Sequence, residues 1–205
     1  MTAQAPDELT IWLDLVHFPV SATPLGAVDS TFLGAEESAR ELLSPFDAIA
    51  GAIGDTRVAM SPADLATITA DPIDPSPGIS STLPIRVLDD GVIDALVRDP
   101  IFPLLTVQVR QLGGAISNEN QLPNGPLSSE HLIYLFGSPS AERTADRIKE
   151  RIAAFMDDLT PFTGHGKPLT FLAPGEEMAD ALPEKSVREL ATIKQKCDPN
   201  RTLRS

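Results

Sequence analysis

Cysteine is nearly absent from this chain: Cys197 stands alone among 205 residues. That excludes an intrachain disulfide and any cysteine-built metal cluster. The three histidines, His17, His131 and His165, lie far apart, so no ligand-like spacing is present and no metal is expected. Aromatic residues are scarce, with one tryptophan and one tyrosine. Basic residues are outnumbered, 16 against 29 acidic ones, for a net charge of −13. An acidic surface repels phosphate backbones, so nucleic acid is not an expected partner. No apolar run is long enough to span a bilayer, and no membrane partner is expected. The first residues, Met1 to Glu8, lack the basic and apolar regions of a signal peptide. The expectation is a cytoplasmic protein. There is no Gly-x-Gly-x-x-Gly and no Walker-type loop, so the chain carries no dinucleotide or phosphate cradle of its own.

What is present is enough for a packed core. The hydrophobic share of 42% is ordinary for a globular protein. The length suits one or two domains at roughly 150 residues each. Leu9–Phe18 alternates and predicts a strand, with Pro19 and Pro24 bounding a turn. Ala27–Leu33 predicts a second strand, paired with the first as a hairpin. Ala35–Ile49 has Ala39, Leu42, Leu43 and Phe46 at helical spacing, with Glu36 and Glu37 in the first turn. Ser61-Pro62-Ala63-Asp64 opens a short helix through Ile68. Ala70–Ile79 is a proline-rich loop, Ser80–Val87 a strand, and Asp89–Arg98 a helix with Val92, Ile93, Leu96 and Val97 inward.

The second half repeats this logic. A long Asn/Pro/Gly-rich loop, Ser117–Ser129, separates Leu104–Leu112 from a strand at His131–Phe136. The longest helix, Ala141–Leu159, carries Ala145, Ile148, Ile152, Phe155 and Met156 on one stripe. Leu169–Leu172 predicts a short strand and Ser186–Lys196 the last helix. The fold class is α+β: an antiparallel sheet with helices packed on one face. The expected division is a domain over 1–172 followed by a C-terminal segment over 173–205.

Two segments carry most of the chemistry. In Leu104–Leu112, Thr106, Gln108 and Arg110 fall on one strand face, and Leu105, Val107 and Val109 on the other. Gly113-Gly114 ends the strand where a backbone turns sharply or approaches a ligand closely. The tail from Lys194 is a basic helix end broken at Asp198-Pro199. In this order the two segments resemble the C-terminal half of an FAD-linked oxidase of the vanillyl-alcohol oxidase type, in its berberine-bridge-enzyme-like branch. The family's strand-end pattern is matched by Gln108–Ala115. Its closing pattern is matched over Leu190–Arg204, where Leu190, Ile193, Lys194, Asp198, Pro199 and Arg204 fit. Cys197, Arg201 and Leu203 stand where the family has an aromatic, an Asn and a Phe. Pro168-Leu169-Thr170 occupies the place of the family's Tyr-x-Asn.

The resemblance implies a substrate domain whose sheet roofs a flavin, with FAD held mainly by a domain absent from this chain. That domain, in the same or a neighbouring polypeptide, is the implied partner, together with a small-molecule substrate. The implied chemistry is hydride transfer from a substrate C–H to flavin, which makes the cofactor the redox agent. Arg110 and Tyr134 are the catalytic candidates, and Thr106, Gln108 and Arg110 the substrate-binding ones. Gly113, Gly114, Asn200 and Arg201 are the cofactor-binding candidates. Plainer readings stand beside these: Arg110 as a surface ion-pair partner, Gly113-Gly114 as a turn device, Tyr134 bonded to a backbone group, Cys197 simply packed. Self-association through an exposed interdomain face is also expected. A free-standing, non-catalytic module that binds a ligand or a protein is the competing function.

Overall fold

In a computed structural model, which describes residues 5–18, 23–69, 74–118 and 124–202, the alternating segments form a single sheet. Its strands are β1 (Leu9–Val16), β2 (Leu25–Phe32), β3 (Ile79–Ile85), β4 (Thr106–Gln111) and β5 (His131–Gly137). The spatial order is β2-β1-β4-β5-β3, and every neighbouring pair is antiparallel. The strand with alternating Thr106, Gln108 and Arg110 is the central one, and β1 and β2 pair as a hairpin. The turn expected at Pro19, much of Ala70–Ile79, the middle of Ser117–Ser129, and Leu203 and Arg204 lie outside the described residues.

The helices cover one face. α1 (Glu36–Leu43) sets Leu43 against Leu9 and Ile11. α2 (Asp90–Val97) and α3 (Ala145–Leu159) enclose the main core, in which Val107, Val109, Ile133 and Leu135 meet Val92, Leu96, Ile148, Ile152, Phe155 and Leu159. Side-chain caps fix two helix starts. Asp89 accepts from the Val92 N–H, and Thr144 from that of Arg147.

Several boundaries differ from the sequence expectation. Helix α1 stops at Leu43 and continues as a 3₁₀ turn over Ser44–Ala48, because Pro45 cannot donate into the ladder. Helix α3 starts at Ala145, since Ser140 and Arg143 close a turn ahead of the Thr144 cap. In α2, Ile93 and Val97 are 45% and 61% exposed, and Ala95 takes the inward place. A two-turn helix offers one narrow stripe to a sheet, and Ile93 and Val97 sit about 100° or more round from Val92. Leu169–Phe171 is a 3₁₀ turn rather than a strand: Phe171 N–H bonds back to Pro168, so no partner strand is needed. The last helix, α4 (Glu184–Cys197), has no buried residue, and Cys197 is exposed rather than packed.

Candidate functional site

Strand register arranges the helix-free face in rows. One row runs Asp29, Trp12, Arg110, Leu132 across four strands; the next runs Asp14, Gln108, Tyr134, Thr82; a third runs Thr106, Phe136, Ser80. Alternation sends every second residue of each strand to one side, and the register between strands brings those sides together. Thr106, Gln108, Arg110 and Tyr134, all marked by the sequence, therefore share a face.

A loop closes over one end of that face. Thr82 Oγ1 donates to the Phe171 carbonyl at 3.0 Å. The buried Lys167 ammonium donates to Glu176 Oε1 at 2.6 Å, and Glu176 Oε2 accepts the Ala173 N–H at 2.8 Å. This clamp holds Phe171 edge-on to Tyr134, with ring centroids 5.8 Å apart. Sheet and loop together wall a cavity of about 370 Å³, lined by Ser80, Thr82, Thr106, Gln108, Arg110, Tyr134, Phe136, Thr170 and Phe171 among others. Thr170 thus stands in the wall at the position where the resembled family carries Tyr-x-Asn.

The polar side chains form a directed chain. Asp14 is buried in mid-strand. Its carboxylate accepts from Gln108 Nε2 at 2.9 Å and from the Thr106 hydroxyl. That fixes which end of the Gln108 amide is which. Its Oε1 then accepts from Arg110 Nε at 2.9 Å and Nη2 at 2.5 Å. The Arg110 guanidinium lies 5.5 Å from the Trp12 ring, 5.4 Å from Phe171 and 6.0 Å from Tyr134. Three aromatic faces around one cation both hold it and shield it from water. Burial and the neighbouring Asp14 charge raise the Asp29 carboxyl above its ordinary range, with Arg110 pulling the other way. The Trp12 indole N–H also favours the charged form, without closing a hydrogen bond of good geometry.

The cofactor-binding candidates lie elsewhere. Gly114 has φ +71° and turns the chain from β4 into a 3₁₀ turn over Gly114–Ser117, a conformation that favours glycine. Neither Gly113 nor Gly114 lines the cavity. Asn200 and Arg201 are exposed beyond the end of α4, where Arg201 N–H bonds to the Asp198 carbonyl. Asp198 also accepts from the Thr202 N–H and hydroxyl, at 2.7 Å and 2.6 Å. Among the described residues no group of histidine, cysteine and carboxylate side chains is arranged to hold a metal ion. Among the described residues no helix is long and apolar enough to cross a membrane.

Sequence reasoning missed Asp14, Trp12, Asp29 and Phe171. For Asp14 a signal existed: a lone carboxylate in a strand that is apolar at every other position but Thr10. Phe171 carried none, since its role depends on a loop folding onto the sheet.

No protein-family model matches the sequence, and no curated protein matches it. Solved structures match the fold. 6-Hydroxy-D-nicotine oxidase from Arthrobacter nicotinovorans superposes with a TM-score of 0.72 at 13% identity, over 95% of this chain and 46% of that one. BBE-like 1 from Physcomitrella patens gives 0.67 at 14% identity, over 97% and 46%. A carbohydrate oxidase from Microdochium nivale gives 0.66 at 13% identity, over 96% and 46%. At these identities the likeness is one of fold. The chain spans about half the length of each of these structures.

Proposed function

We propose that this chain is the substrate-side part of a flavin-dependent oxidoreductase acting on a small organic molecule. An FAD-binding domain in the same or a neighbouring polypeptide completes it. One observation carries the reading: a five-stranded sheet packed by helices on one face and presenting Asp14, Gln108, Arg110 and Tyr134 on the other, in a fold shared with oxidases about twice as long. The motif resemblance at Gln108–Ala115 and Leu190–Arg204 points to the same branch.

The face suits one part of FAD and not another. A wall of aromatic rings, amide and hydroxyls around a fixed guanidinium fits a planar ring system or a substrate lying against it. Nothing among the described residues fits a pyrophosphate: there is no glycine-rich turn into a helix N-terminus, and the chain is acidic. FAD, when bound through the partner domain, supplies the two-electron acceptor. This chain's residues orient the substrate. Arg110 binds and steadies negative charge, Gln108 and Asp14 hold Arg110, and Tyr134 offers a hydroxyl for proton exchange. Gly113, Gly114, Asn200 and Arg201 lie outside the cavity; in this proposal they contact the partner domain or its cofactor. The cytoplasm is the proposed compartment.

Co-expression with the FAD-binding domain of the same locus tests this. The expected result is a yellow complex that co-purifies and oxidises substrate, with turnover lowered by Arg110→Ala. A colourless chain that never associates with such a domain supports the other reading, a free-standing binding module. The cavity between the sheet and the Phe171 loop is the observation in that reading's favour.

A further inference from the structure

We infer that the cavity takes an organic monocarboxylate, anchored by Arg110 and flanked by aromatic rings. The inference deepens the proposal above by naming its substrate class, and rests on it only for what then happens to the ligand. Among the described residues, Arg110 is the only charged side chain in the cavity lining, in a chain whose net charge is −13. The cation forms no direct ion pair among the described residues, although Asp29 interacts with it electrostatically. Both oxygens of Asp14 are engaged by Thr106 and Gln108, and no carboxylate pairs with Arg110 among the described residues. Its Nε and Nη2 are held by Gln108 Oε1, while Nη1 has no hydrogen-bond partner among those residues.

A guanidinium fixed on one edge, open on another and shielded by three rings pairs with a carboxylate more strongly than it would in water. The Ser80 hydroxyl can donate to the rest of the ligand, while Thr82 and Thr106, whose protons go to the Phe171 carbonyl and to Asp14, offer it acceptor oxygens. Asp14 and Asp29 lie on the same sheet face as the cation, and their negative charge disfavours a dianion such as phosphate more than a single carboxylate. A neutral polyol would use the hydroxyls and leave the guanidinium's charge unanswered.

Trp12 is the only tryptophan, and its ring lies 5.5 Å from the Arg110 guanidinium, so its fluorescence reports on the site. Benzoate and its neutral isostere benzamide are titrated into the full chain at constant ionic strength, with glucose as the polyol. Benzoate is expected to change Trp12 emission saturably, and benzamide to bind about tenfold or more weakly, as loss of a charge-assisted pair requires. Arg110→Ala should abolish the preference, and Arg110→Lys should recover it only in part, because a point charge does not reproduce the planar fork. Circular dichroism checks the fold of both variants; if the alanine variant fails to fold, the lysine variant carries the comparison. Equal binding of benzoate and benzamide overturns the inference. So does a response to glucose with none to benzoate, or an undiminished benzoate preference in Arg110→Lys and Arg110→Ala. The measurement needs no flavin. A failure of FAD-domain complementation leaves a benzoate preference standing, and a yellow complex indifferent to benzoate sinks only the carboxylate.

Discussion

Asp14 offers the sharpest test of how the sheet face is organised. It is a buried acceptor for two donors, Gln108 Nε2 and the Thr106 hydroxyl. Asp14→Asn keeps both contacts: the new Oδ1 still accepts from Gln108, and the Thr106 hydroxyl rotates to accept from the new amide. Only the charge assistance is lost, about 1 kcal/mol. Asp14→Leu removes the acceptor and keeps the donors. Each donor left without a partner costs about 1–3 kcal/mol, and Thr106, being half-buried, recovers part of its share from water. The leucine variant should therefore lose about 2–4 kcal/mol. At about 2–4 °C per kcal/mol for a chain of this size, the melting midpoint should fall by roughly 4–16 °C, against only a few degrees for asparagine. Calorimetry measures this. Side-chain NMR of Gln108 and of Arg110 Nε–H measures the second consequence, loss of the fixed amide orientation in Asp14→Leu alone. Equal midpoints for the two variants, or an undisturbed Arg110 Nε–H in the leucine variant, would refute the account of Asp14 as the group that orients Gln108.

The raised Asp29 carboxyl makes the folded state bind that proton more tightly than the unfolded chain does, so its contribution to stability falls as pH rises through the carboxylate range. Asp29→Asn should stabilise the protein at neutral pH and make no difference in acid, as urea midpoints across pH will show. Burial lowers the pKa of His131, so stability should fall as pH drops below about 6.5, and His131→Gln should flatten that limb of the curve. Lys167 is almost fully buried against Glu176; Lys167→Ala leaves the half-buried Glu176 carboxylate without its cation and should cost about 1–3 kcal/mol, with faster amide exchange in the loop bearing Phe171. Leu13 and Val28 are register partners on the helix-bearing face, yet 39% and 41% exposed, and the isolated chain should bind a hydrophobic dye or self-associate. A dye-silent monomer in sedimentation would contradict that expectation.

The five strands and the faces they present are legible in the amino-acid pattern. Alternation in Leu104–Leu112 is a local property of the strand period, so it placed Thr106, Gln108 and Arg110 together and Val107 and Val109 in the core without knowledge of any neighbour. The single stripe of α3 was legible for the same reason, as were the scarcity of cysteine and the acidic balance. What alternation cannot contain is strand order. Folding places β1 beside β4, and with that pairing come Asp14 opposite Gln108 and Trp12 opposite Arg110. These are contacts across roughly ninety residues of chain, and no local period encodes them. The loop carrying Phe171 departs from the strand its sequence predicts, because four apolar-rich residues fit either pattern. Its position was decided by the Lys167–Glu176 ion pair and by Thr82, side chains whose partners are fixed by the folded sheet. A hydrogen-bonded site is a statement about proximity, and proximity between distant segments comes into being only when the sheet assembles.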